Sequence, residues 1–349
     1  MEPVAVRGSF WARALVSVAL SLFLSVGQAL AQNQQESQAQ RQQVQPYNNA
    51  PTWREVRSGK EAITTVRGRE TGVLVQTYGQ TWRQLHNGPI TIYGGWLVVL
   101  IVAAVAVFYL VRGPVTLREK PTGRLIERFT VVERWTHWTA AITFCILGIT
   151  GLTTMFGKFI VLPVIGYTLF SWLMQLFKFL HNFVGPLFFV SAAVLVVIFI
   201  RHNWPKAYDI RWLMKFGGMV SGEHLPCGRF NAGEKSWFWI GVVILTIVVS
   251  VTGLILDFPN FDQTRLLMIQ ANVVHSVAAL LYMVISLGHI YLGTVGVEGA
   301  YQGMRTGYVD EAWEKEHHEY WYNDVRSGKN RAGGAAGAAG AAEVPQVQH

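Results

Sequence analysis

Four histidines set in or beside apolar stretches dominate the chemistry open to this 349-residue chain: His137, His181, His275 and His289. A histidine in hydrocarbon is costly, so one found there marks a functional site by default. His275 and His289 lie fourteen residues apart in one apolar segment. At about 100° and 1.5 Å per residue they point within about 40° of one face, about 21 Å apart along the axis. His137 and His181 sit at the ends of two further apolar segments. That is enough for two bis-histidine sites, one near each membrane face. Neutral imidazole is the usual axial ligand of a b-type haem. Two per iron leave no open position, so such a site passes electrons and does not bind oxygen.

The elements that must position these histidines are membrane helices. The chain is 51% hydrophobic and only 14% charged, with 13 Trp and 19 Phe, against about 25% charge in a soluble domain. Five stretches are long and uncharged enough to span a ~30 Å core: 93–111, 136–155, 182–200, 236–256 and 271–294. The net charge of +8 is read by location, as an excess of Lys and Arg in cytoplasmic loops, and not as a nucleic-acid surface. Arg112, Arg118, Lys120, Arg124, Arg128 and Arg134 form one basic stretch, and Arg201, Lys206, Arg211, Lys215, Arg229 and Lys235 another. Both belong in the cytoplasm, so an even number of spans separates them. The extra apolar segment 159–177, interrupted by Pro163 and Gly166, is then an interfacial or re-entrant piece on the outer face.

Residues 1–31 read as a cleaved secretory signal: Arg7 and Arg13 precede the run Ala14–Val26, and Ala29-Leu30-Ala31 is a cleavage pattern. The Gln-rich 32–47 is expected to be disordered, and 50–90 is expected to be a short strand-and-turn segment. This gives an outer N-terminal segment 32–90, an extra span within 91–112, a four-helix domain over 113–297 and a cytoplasmic tail 298–349, disordered from about 330. The mature N-terminus is outside and the C-terminus inside.

In that topology His181 and His275 fall at the outer face and His137 and His289 at the inner face, paired by depth. The spans carry no Asp or Glu to serve a metal or proton transporter, the competing use of such histidines. His202, His224, His317 and His318 are expected to be solvated. Cys145 is expected to be a small core residue. Neither Cys145 nor Cys227 belongs to a CxxC or CxxCH, so a haem here is non-covalent and the chain holds no iron–sulfur site of its own.

Over Arg128 to Tyr322 the chain resembles the cytochrome b, or gamma, subunit of membrane-bound formate dehydrogenase. The carriers are Arg134-Trp135-Thr136-His137-Trp138-Thr139, Leu180-His181 followed by Gly185, Arg201-His202-Asn203, and Asp209-Ile210-Arg211-Trp212. Most distinctive is Phe230-Asn231-Ala232-Gly233-Glu234-Lys235; His275 and His289 then follow at the family's spacing, with Gly303-Met304, Trp313 to His318 and Trp321-Tyr322 in the tail. The histidines alone also fit hydrogenase and thiosulfate-reductase cytochromes b.

The resemblance implies an all-α membrane protein with a four-helix di-haem core plus one extra N-terminal helix. His181 and His275 would ligate the outer of two b haems, and His137 and His289 the inner. A quinone would bind near the inner haem against Asn231 and Gly233. The implied partners are an iron–sulfur (beta) subunit and a molybdenum or tungsten catalytic (alpha) subunit that oxidises formate outside the cytoplasm of a bacterium. For Asn231 the alternative is a helix N-cap, and for Glu234, a candidate proton carrier, a first-turn dipole partner.

Overall fold

The computed structural model describes residues 53, 57–59, 78–218, 223–259, 261 and 263–329. The expected signal 1–31, the Gln-rich segment and the low-complexity end from 330 lie outside the described residues. Among those described, five helices are long and apolar enough to cross a membrane: α1 (Gly79–Arg112), α2 (Val131–Ile160), α3 (Leu162–His202), α5 (Ala232–Asp257) and α6 (Arg265–Gly296). A short helix α4 (Ala207–Met214) lies between α3 and α5.

Of α2, α3, α5 and α6, three begin at a side-chain cap. Thr130 caps α2 through a reciprocal box: its hydroxyl accepts from the Glu133 N–H, and the Glu133 carboxylate accepts from the Thr130 N–H. Asn231 and Glu234 repeat that arrangement at α5, and the Thr264 hydroxyl accepts from the Leu267 N–H at α6. Such caps satisfy N–H groups that a helix leaves unpaired.

α2 and α3 form a hairpin, and α5 packs on both α3 and α6. The segment 159–177 is not a re-entrant element. Its first residues finish α2, Gly166 takes a left-handed turn (φ 74°), and the rest is the first half of α3. Pro163 stands in the opening turn of the helix, where a missing N–H costs nothing, so it starts α3 and does not break a span.

The extra helix is also longer than its apolar stretch. The expected strand-and-turn character of 50–90 fails where it can be checked, because 79–90 is helical and continuous with the span, through a π-helical turn around Pro89. α1 runs in the same direction as α6 and lies along it. Trp82 Nε1 donates to Asn272 Oδ1 (2.9 Å) at the start of α6, and Phe108 and Tyr109 meet Tyr291 edge-on at its far end. A Cβ on Gly94 would meet the end of the Leu280 side chain, so glycine suits the close approach. Cys145, expected in the core, faces outward instead.

The tail is folded onto the loop that precedes α2. β1 (Leu125–Glu127) pairs antiparallel with β2 (Tyr308–Asp310), and α7 (Ala300–Thr306), α8 (Glu311–His317) and α9 (Glu319–Arg326) surround them. Arg128 is 2% exposed and Glu314 0%. Arg128 Nη1 donates to Glu314 Oε1 at 2.7 Å, and Nη2 donates to the Arg229 carbonyl (3.0 Å) and to His318 Nε2 (2.9 Å). Arg229 in turn bonds Glu133 and the Arg128 carbonyl, and the buried Lys235 pairs with Asp209 at 2.7 Å. Of the tail histidines expected in solvent, His318 is inside, 1% exposed, and His317 is half-buried against Trp313.

His318 accepts from Arg128 and donates Nδ1–H to the Gly228 carbonyl (2.9 Å), so it is neutral. Burial, then the Arg128 charge, holds its pKa well below the usual value. The undocked tail takes up a proton that the docked tail refuses. The stability His318 contributes is thus present above about pH 6.5 and lost as pH falls, by up to about 1.4 kcal/mol per unit. Glu314, whose pKa burial raises to about 7, pulls the other way over the same range, so the His318 contribution is read by difference. Hydrogen exchange in 311–326, corrected for intrinsic rates, is expected to gain up to about tenfold per unit below about pH 6.5 in the wild type relative to His318→Gln. The same pH dependence in both proteins would refute this.

Candidate functional site

The four helices α2, α3, α5 and α6 bring the histidines together as two pairs. The His181 and His275 ring centroids are 6.2 Å apart, and those of His137 and His289 6.3 Å. Both members of each expected pair meet, and no cross-pairing occurs. That spacing is informative. Two imidazoles on opposite sides of one metal ion, with metal–nitrogen bonds of about 2 Å and a ring centre about 1.1 Å behind each nitrogen, have centroids about 6.2 Å apart. The rings stand at metal-bridging distance, too far apart for direct hydrogen bonding. Among the described residues, His, Cys, Asp and Glu form no group of three or more that could hold a metal ion.

Two threonines complete the first pair. Thr150 Oγ1 lies 2.8 Å from His181 Nδ1 and Thr252 Oγ1 3.0 Å from His275 Nδ1. Each hydroxyl spends its own proton on a carbonyl one turn back in its helix, Ile146 for Thr150 and Val248 for Thr252. The threonine oxygen is then an acceptor, the histidine carries its proton on Nδ1, and Nε2 is the nitrogen free to ligate. A glycine follows each threonine. A Cβ on Gly151 would sit 3.4 Å from His181 Cε1, and one on Gly253 3.2 Å from His275 Cε1, so both rings lie against bare backbone. Gly185, one turn from His181, and Gly288, beside His289, face open space where a Cβ would meet nothing within 4 Å. The ligand sets and these glycine faces fit two flat bis-histidine haems.

The second pair is built differently. His289 stacks on Trp237 (centroids 4.9 Å, 13° between planes), and His137 Nδ1 is buried without a hydrogen-bond partner among the described residues. Between the pairs lies an aromatic cluster. Tyr282 contacts Phe144 (4.7 Å) and Trp237 (5.7 Å), and Phe188 packs on both Phe144 and Tyr282. Thr246 holds the Tyr282 hydroxyl at 2.8 Å.

Asn231 and Gly233 are at the start of α5, six and four residues before Trp237. Asn231 Oδ1 accepts from the Glu234 N–H (2.9 Å), so the N-cap alternative for Asn231 is realised, with Glu234 as its box partner. A Cβ on Gly233 would lie 2.9 Å from the Trp212 ring. Thr150, Thr252 and Trp237 were not singled out from sequence. The one visible signal for the threonines is the repeated Thr-Gly at 150–151 and 252–253, each pair set on a helix facing a histidine of the other hairpin partner.

Membrane-spanning helices that present paired histidines across a bundle define a b-type cytochrome. Residues 128–307 match the prokaryotic cytochrome b561 family, and the chain belongs to it. It is similar to the formate dehydrogenase cytochrome b556(fdo) subunit of Escherichia coli K12, 32% identical over 210 residues, which cover 58% of this chain and 93% of that protein. The nitrate-inducible cytochrome b556(Fdn) subunit of the same strain is 30% identical over 217 residues (59% and 94%). The formate dehydrogenase cytochrome b556 subunit of Haemophilus influenzae is 31% identical over 206 residues (57% and 83%). The chain is an integral membrane protein of the electron-transfer type, and α1 lies outside the matched range.

Proposed function

We propose that this chain is the electron-transfer subunit of a formate dehydrogenase complex in a bacterial inner membrane. It takes electrons from a periplasmic iron–sulfur subunit, which a molybdenum or tungsten subunit supplies by oxidising formate, and delivers them to a quinone near the cytoplasmic face. The observation that carries this reading is the two histidine pairs at 6.2 and 6.3 Å, set fourteen residues apart on α6. Two b haems bound there would supply reversible one-electron chemistry at iron. The relatives named above are formate dehydrogenase subunits, which favours formate over hydrogen or thiosulfate as the electron source.

The chain's own residues hold, orient and shield. In this reading the basic loops lie in the cytoplasm, with the His181–His275 pair outside and the His137–His289 pair inside. Fixed Nδ1–H tautomers aim His181 and His275. Near the inner pair, the Asn231 side chain keeps its amide nitrogen for a quinone carbonyl while its oxygen caps α5. The cap serves the Glu234 N–H, so the Gly233 N–H in the same first turn is left for a ligand. Electrons arriving from outside, with protons drawn from inside, build membrane potential.

The complex purified from membranes should show, after dithionite, two b haems per copy of this chain by pyridine haemochrome. Formate should reduce both, and added quinone should reoxidise them. Absence of b bands ends the reading and leaves a transporter or anchor; a hydrogenase large subunit in place of the molybdenum or tungsten subunit transfers it to hydrogen.

A further inference from the structure

The two histidine pairs differ in one respect that bears on direction. Both rings of the outer pair are hydrogen-bonded through Nδ1, His181 to Thr150 and His275 to Thr252. Among the described residues the inner pair has ring contacts only. His137 packs edge-on to Trp138 and keeps a buried Nδ1 without a partner among the described residues, and His289 stacks on Trp237. A ligating imidazole that donates its second N–H is the more basic ligand. It gives more electron density to iron and favours the ferric over the ferrous form, and such hydrogen bonding is one of the protein's levers on haem potential.

We propose that Thr150 and Thr252 are positioning residues that lower the potential of the outer haem relative to the inner one, so that the chain itself sets the inward direction of electron flow. With haem held at both pairs the exchange would be simple: one electron would leave the outer iron, taking it from Fe(II) to Fe(III), and reach the inner iron, taking it from Fe(III) to Fe(II). No proton moves with it. The asymmetry lies in the hydroxyls, since both pairs have the same two imidazole ligands and nearly the same ring separation. Thr150 stands closer to its histidine (2.8 Å) than Thr252 does (3.0 Å), so Thr150 is the stronger lever. The inference rests on the di-haem reading above.

The test is a potentiometric titration of the b-haem absorption in the intact purified complex. Wild type is expected to show two components, and His181→Ala to remove the one of lower potential. Thr150→Val should raise the remaining low component, shifting the electron-exchange equilibrium between the haems by about tenfold, which is 59 mV for one electron. Thr252→Val should give a smaller shift of the same sign, and Thr150→Ser, which keeps the hydroxyl, should restore the wild-type value. The high-potential component should stay in place throughout. Loss of the high-potential component in His181→Ala overturns the proposal, and this holds whether or not the threonine variants assemble. An unmoved low component in Thr150→Val overturns it as well. Absence of b haem altogether removes the proposed function first, and is told apart from these outcomes by the spectrum itself.

Discussion

His181→Ala and His275→Ala are each expected to remove the same single haem, halving the haem content per chain, while His137→Ala and His289→Ala each remove the other. The geometry behind this is the centroid spacing of 6.2 and 6.3 Å, which allows each histidine one partner across the bundle. The two positions on α6 are about 21 Å apart, so a surviving haem cannot borrow a ligand from the vacated site. Formate-to-quinone electron transfer should fall by more than the 10- to 100-fold that loss of an outer-shell partner costs a metal site. The double variant His181→Ala/His275→Ala should be no worse in haem content than either single. Pyridine haemochrome and reduced-minus-oxidised spectra measure this. If His181→Ala and His275→Ala deplete different spectral components, the pairing is wrong.

The pairing was legible in the sequence because it depends on two periodic quantities. One is the helix repeat that puts residues 275 and 289 on one face. The other is the depth at which each apolar stretch begins or ends, set by charge. What was not legible depends on contacts between distant residues. A threonine in an apolar helix ordinarily bonds its own backbone, and Thr150 and Thr252 do so; that their free lone pair also meets a histidine on another helix is invisible until the helices are packed. The same holds for the tail. Its histidines read as solvated because their partners lie far off in sequence: 190 positions separate His318 from Arg128. The segment 159–177 was misjudged for a local reason. Pro163 and Gly166 look like helix breakers, yet one sits in the opening turn and the other makes the hairpin.

The buried ion network under the tail is where a single substitution should do most damage to the fold. Arg128→Met keeps much of the stem that packs against Phe129 and Trp313 but strands the Glu314 carboxylate in an interior that admits no solvent. Removing one partner of such a pair typically costs about 3–5 kcal/mol, equivalent to about a 10²- to 10⁴-fold rise in the opening of the tail. Hydrogen exchange across 308–326 should report it. The double variant Arg128→Met/Glu314→Met should recover a large part of the loss, because apolar replacement of both partners is often close to neutral. Additive damage in the double variant would show that Arg128 acts through His318 and the Arg229 carbonyl instead of through the ion pair. The consequence should also be uneven between the two haem sites. Arg128 lies two residues before the Thr130 cap of α2, and Arg229, which exchanges hydrogen bonds with it, lies two before the Asn231 cap of α5. Those caps begin the helices that carry His137 and Trp237, so loosening the network unsettles the His137–His289 pair while His181 and His275, held by Thr150 and Thr252 in the other half of the bundle, keep their geometry. Arg128→Met is therefore expected to lose the His137–His289 haem first on mild heating, and a simultaneous loss of both haems would place the network's influence on the bundle as a whole.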